Sequence, residues 1–105
     1  MNQLVRSRLD PKIRKDAILV AAVECAKLQG LSNIRRDTIA GYAGVANGLV
    51  SRYFSTMTQL RRAVVRYAVH NEVLPIVAQA LALRDPEALK ASDELKKKAV
   101  ASLNA

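Results

Sequence analysis

The chain has one cysteine, one histidine, four scattered glycines, four aromatic residues and no tryptophan, and each scarcity removes a class of protein. A single cysteine excludes an internal disulfide and any zinc site built on cysteine pairs. Cys25 sits among Ala21, Ala22 and Leu28 on a helical pattern, so it reads as a small buried apolar residue, which fits a reducing cytoplasm. His70 stands two residues from Glu72, a spacing that cannot share a helix face. No cysteine, serine or second histidine at helical spacing completes a site around it, so no enzyme, metal or cofactor is expected. The glycines form no phosphate-binding loop. Long apolar runs are missing as well: Val73 to Leu83 spans 11 uncharged residues and contains Pro75, well short of a membrane span. The first residues are polar and basic, without the apolar segment of a secretory leader.

What the chain does have is aliphatic side chains. Half of its 105 residues are apolar, which predicts an all-α domain with a modest core and no room for a large internal ligand cavity. Acidic residues are outnumbered 9 to 17, and the imbalance is local. Through Arg66 there are twelve cations and four carboxylates; from Tyr67 onward there are five of each. The net charge of +8 therefore belongs to the first two thirds of the chain, as expected if that part meets phosphates and the rest meets protein.

Within the basic part, the stretch from Arg36 to Ser55, RDTIAGYAGVANGLVSRYFS, has its residue types in the order that a helix-turn-helix requires. Ala40 offers a tiny side chain where two helices must cross closely, and Gly44 can end the first of them in the left-handed conformation. Ile39, Ala43, Val45, Val50 and Tyr53 then face a shared core, and Phe54 joins them. Asn47, Gly48, Leu49, Ser51 and Arg52 are left outward on the second helix, the face that enters a major groove in such motifs. Arg52 suits guanine, because its fork matches O6 and N7. Ala46 is a poor N-cap, and Asn47 can take that place at the expense of reading a base.

The flanks follow the same logic. Residues 1–9, with Arg6 and Arg8, read as a flexible basic arm for a phosphate backbone or minor groove. Asp10 and Pro11 start a first helix over about 11–29, with Ile13, Ala17, Ile18, Ala21, Cys25 and Leu28 on its apolar face and Gly30 as its stop. Ser32 and Asn33 cap a second helix over about 34–43, whose first turn offers Arg35 and Arg36 to phosphates. Tyr42 is left either exposed or tucked beneath the arm. A fourth helix starts near Met57 with Leu60, Val64, Tyr67, Ala68 and Val69 inward, and Thr56 at its start is counted with the DNA-facing residues. Pro75 is expected to end or bend it. Asp85-Pro86-Glu87 opens a last segment whose apolar positions are Leu89, Leu95, Ala99, Val100 and Leu103. This divides the chain into an arm (1–9), a DNA-binding head (10–56) and a helical linker and dimerisation segment (57–105).

Asp16 to Val64 resembles the DNA-binding domain of the TetR family of bacterial repressors. The resemblance is carried by AILVAAVECAKLQG, TIAGYAGVANG, RYF and Leu60, which align without a gap. It implies a three-helix head whose third helix reads the major groove, a fourth helix leading to a dimerisation body, and a homodimer on a palindromic operator. The chain departs from the family at Ile34, Arg35 and Arg36 before the second helix, at Ala46, Asn47, Leu49 and Ser51 in the third, and at Met57, where a phosphate-binding lysine is frequent. Arg35, Arg36, Arg52 and the arm are expected to replace the missing backbone contacts.

About 40 residues follow Val64, where the resemblance ends, against a family body several times larger that encloses an effector pocket. The expectation is a cytoplasmic, nucleoid-associated repressor, suited to a plasmid or phage, with no small-molecule ligand. Its dimer contacts are expected from Leu74, Ile76, Val77, Ala80, Leu81, Leu95 and Val100. The competing expectation is a protein–protein adaptor or antirepressor that docks a partner through the apolar Leu74 to Leu83 segment.

Overall fold

Asp10 and Pro11 open the first helix, α1 (Pro11–Gln29), in the computed structural model, which describes residues 10–103; Arg6 and Arg8 lie outside the described residues. The Asp10 carboxylate accepts the Lys12 N–H at 2.7 Å, and Pro11 has no N–H to leave unpaired. The buried face of α1 is Ile18, Ala21, Ala22, Val23, Cys25 and Ala26. Three residues expected there are exposed instead: Ile13, Ala17 and Leu28. The inward face is the one against which α2 (Arg36–Ala43) and α4 (Met57–His70) lie, and its three alanines and Cys25 let those helices approach closely around Ile18 and Val23. Burial also pushes the Cys25 thiol above its ordinary value, with Glu24 adding to the effect.

After α1 the chain departs from the expected helix over 34–43. Gly30 takes a φ of 96°, Leu31–Asn33 form a short 3-10 turn, and Ile34 is extended and buried. Ser32 and Asn33 therefore do not cap α2. The Asn33 amide instead donates to the Gln29 carbonyl at 2.8 Å and closes the end of α1. Arg35 occupies the N-cap of α2 without a side-chain cap. The Leu31 N–H donates to the Gln79 side-chain oxygen at 2.6 Å, joining residues 48 positions apart. Gln79→Leu leaves that amide buried and unpaired, and is expected to cost about 1–3 kcal/mol in urea denaturation, against a few tenths for a surface change such as Gln59→Leu.

Gly44 makes the corner. Its φ of 70° and ψ of 35° are left-handed, the Val45 N–H reaches the Ala40 carbonyl at 3.0 Å, and the Gly44 N–H reaches Gly41 at 3.3 Å. This pair of bonds satisfies the last carbonyls of α2 and redirects the chain into α3 (Asn47–Tyr53). Ile39 and Val50 are fully buried at the crossing, while Ala43, Val45 and Tyr53 pack at its edge and Phe54 is buried just beyond.

Thr56 caps α4, its hydroxyl accepting the Gln59 N–H at 3.1 Å, and Leu60, Val64, Val65 and Ala68 face inward. Pro75 neither ends nor bends this helix. The chain has already reversed at Asn71 and at Glu72, whose φ is 53°, with the Val73 N–H bonded to the Ala68 carbonyl. Pro75 instead sits in the first turn of α5 (Leu74–Ala82), where a missing N–H costs nothing.

The expected last segment is two helices, α6 (Pro86–Leu89) and α7 (Asp93–Ser102). Ser92 separates them by capping α7 afresh, its hydroxyl accepting the Leu95 N–H at 3.1 Å. The break turns only Leu95 and Ala99 inward and leaves Leu89, Val100 and Leu103 exposed.

Glu87 on α6 ties the C-terminal part to α4. Its carboxylate lies 3.4 Å from Arg66 Nε and 3.4 Å from Lys90 Nζ. Partial burial pushes the carboxyl up, but the bonds from Arg66 and Lys90 outweigh it and hold Glu87 below its ordinary 4.5. A carboxyl lowered on folding stabilises the fold above its unfolded value, and that contribution disappears as pH falls through the folded one. Glu87→Gln is therefore expected to flatten the decline of thermal stability between about pH 5 and pH 3.

The core runs without a break from α1 to α7. That continuity corrects the expected dimer set: Ile76, Val77, Ala80 and Leu95 are buried within the chain itself, and Leu74 and Leu81 are half-buried. Only Val100 of the seven is exposed, at 52 %. α5 lies between α4 and α7, so its nearly all-apolar sequence is used on two sides at once.

Candidate nucleic-acid interface

α3 presents a narrow outward crest. At about 100° per residue, Gly48 and Arg52 point away from Val50, with Ser51 on one flank and Leu49 on the other. The burial pattern agrees: Gly48 and Arg52 are exposed, Ser51 and Leu49 are half-buried, and Val50 is closed off. A Cβ at Gly48 would meet nothing within 4 Å, so the crest is bare at that point. Arg52 makes no ion pair among the described residues.

Asn47 is the first residue of α3, behind an uncapped Ala46, so its amide does not act as the cap. It is exposed, and its carbonyl accepts the Ser51 hydroxyl at 3.4 Å. Of the hydroxyls near this face, those of Ser51 and Thr56 are thus both engaged locally, the second as the cap of α4.

At the start of α2 the two arginines differ. Arg35 is exposed, with its Nε 3.5 Å from the Asp37 carboxylate, a surface pair of at most about 1 kcal/mol that a phosphate can displace. Arg36 is half-buried, and its Nε is the one buried side-chain polar atom without a partner among the described residues. Such an orphan donor is costly to leave unpaired.

One feature of the face was not read from sequence. Lys15 Nζ stands 5.3 Å from the centre of the Phe54 ring, which brings the basic start of α1, with Lys12 and Arg14, beside the end of α3. Lys12, Arg14 and Lys15 are neighbours in the sequence, but Phe54 is 39 positions from Lys15. Tyr42 is half exposed. Arg6 and Arg8 lie outside the described residues.

A left-handed glycine corner between two short helices, the second carrying an exposed crest with an unpaired cation, defines a helix-turn-helix module. Residues 18–64 match the family model described as bacterial regulatory proteins, tetR family, from within α1 to within α4. Residues 18–64 thus form a TetR-family N-terminal helix-turn-helix domain, the DNA-binding part of a transcription regulator. No curated protein and no solved structure matches significantly. Among the described residues, no helix is long and apolar enough to cross a membrane.

Proposed function

We propose that the protein is a sequence-specific, homodimeric repressor that binds a palindromic operator through α3, without a small-molecule effector. The observation that carries this reading is the crest of α3, with bare Gly48 and unpaired Arg52 on a helix fixed to the core by Val50, and exposed Asn47 at its start. Arg52 and Asn47 face base edges, Leu49 and Ser51 flank them, and Arg35, Arg36, Thr56 and the arm residues Arg6 and Arg8 hold phosphates and fix register. Binding to the DNA upstream of its own gene, compared with scrambled duplex over a salt series, tests the reading. Equal affinities at every salt concentration would sink it.

A palindrome requires two copies of the head about one turn of duplex apart. With most of α5 used inside the chain, we assign the contact to the apolar side chains left outside in the C-terminal part: Leu83, Leu89, Val100 and Leu103. A shallow groove beside Lys96, Lys97, Val100 and Ala101 lies in that region. Val100→Asp together with Leu103→Asp is expected to shift the protein to a monomer in light scattering, with helicity unchanged. Operator binding should then lose its steep concentration dependence.

Two observations support the remaining parts of the reading. Ala68, Ala80, Ala88 and Ala99 are fully buried among α4 to α7, an arrangement of small side chains that brings helices together rather than lining a ligand site. A partner-docking role for Leu74 to Leu83 loses its motive, because Ile76, Val77, Ala78 and Ala80 are already covered by the chain's own helices.

A further inference from the structure

We infer that Leu49 is a specificity-determining residue that reads the C5-methyl group of a thymine beside the guanine contacted by Arg52. This deepens, and rests on, the reading of α3 as the major-groove helix. One flank of the α3 crest carries a branched apolar side chain. Leu49 is half-buried, packed at the edge of the core one turn before the half-buried Tyr53, so part of its surface faces outward and the rest holds it in place. On a helix it stands about 60° from Arg52 and three residues before it, so the two side chains address neighbouring base steps. Gly48 contributes by having nothing there: the backbone beside Leu49 can come close to the groove without a side chain to hold it off.

The chemistry then selects the base. A leucine has no donor or acceptor for a base edge, and placed against a cytosine N4 or an adenine N6 it would leave that group without water or partner. The thymine methyl is the one apolar group that the major groove displays. Covering it removes about one methyl of apolar surface from water, worth roughly three- to fivefold in affinity. The half-site expected from the crest thus pairs a guanine for the Arg52 fork with a thymine one or two steps away for Leu49.

The test uses the full chain. Duplexes with a randomised central region are selected for binding, and in the best sequence each thymine is replaced in turn by deoxyuridine, which removes only the methyl. One thymine per half-site is expected to lose about three- to fivefold on this change with the unaltered protein. With Leu49→Ala, the thymine and uridine duplexes should bind equally, the signature of a coupled pair. An enriched sequence in which no thymine responds, or in which Leu49→Ala still distinguishes the two duplexes, overturns the assignment of Leu49 and leaves the repressor reading standing. Selection that enriches no sequence overturns both.

Discussion

Leu60→Ala is expected to lower the unfolding free energy by about 2–5 kcal/mol. Leu60 is fully buried in the first turn of α4, just after the Thr56 cap. Its side chain belongs to the one core that includes both the helix-turn-helix and the C-terminal helices, so the cavity left by truncation weakens both. A small domain holds only about 5–15 kcal/mol in total, and such a loss is a large share of it. The measurement is a urea midpoint shift at unchanged slope, with Leu89→Ala as comparison. Leu89 is 45 % exposed, and its truncation should cost under about 1 kcal/mol. Equal costs for the two would contradict the burial described for α4 and α6.

The same substitution bears on function. α3 has seven residues, far fewer than an isolated helix needs to persist in water. It holds its shape because Val50 and the adjoining Phe54 are anchored in the core that Leu60 completes. Leu60→Ala should therefore weaken DNA binding only by reducing the folded fraction. Excess DNA, which binds the folded state alone, should restore part of the lost stability.

The parts of this architecture that were legible in the sequence are those with a local cause. Asp10 before Pro11, Gly44 at the corner and the period of Leu60, Val64 and Ala68 each act through neighbours within one or two turns, so a pattern in the chain is also a pattern in space. The misreadings arise where the deciding partner is distant or the pattern is two-sided. Pro75 is compatible with ending one helix or starting another, and the left-handed Glu72 that decides between them carries no glycine to announce it. Ser32 and Asn33 are good caps in principle, but the Leu31 amide is taken by Gln79 from another helix and the chain there forms a tight turn. α1 carries apolar side chains on more than one face, and only the packing of α2 and α4 decides that Ile18, Ala22, Cys25 and Ala26 go inward while Ile13, Ala17 and Leu28 stay out. In the interface, the outward set on α3 follows from helical spacing about the buried Val50. The orphaned Nε of Arg36 and the approach of Lys15 to Phe54 depend on the assembled core and have no sequence signal.

Arg52→Ala is expected to lower affinity for the selected operator about 10- to 100-fold while leaving binding to scrambled duplex within a few-fold of the unaltered protein. Availability sets Arg52 apart from the other cations. Arg35 and Arg66 have carboxylate partners, Lys15 lies over Phe54, and Arg36 is half-buried at the start of α2. Arg52 is the one cation on the crest of α3, exposed and unpaired, on the helix that the corner at Gly44 projects. A guanidinium in that position can form two parallel bonds to guanine O6 and N7, which scrambled DNA does not offer in register. Arg36→Ala is the informative counterpart. Its contact is with phosphate in this reading, so its loss should weaken both duplexes alike and reduce the dependence of log affinity on log salt by about one. Arg52→Ala should leave most of that slope in place. If instead Arg52→Ala lowers both affinities equally and flattens the salt dependence, Arg52 is a phosphate ligand, and base readout by α3 falls to Asn47 and Leu49.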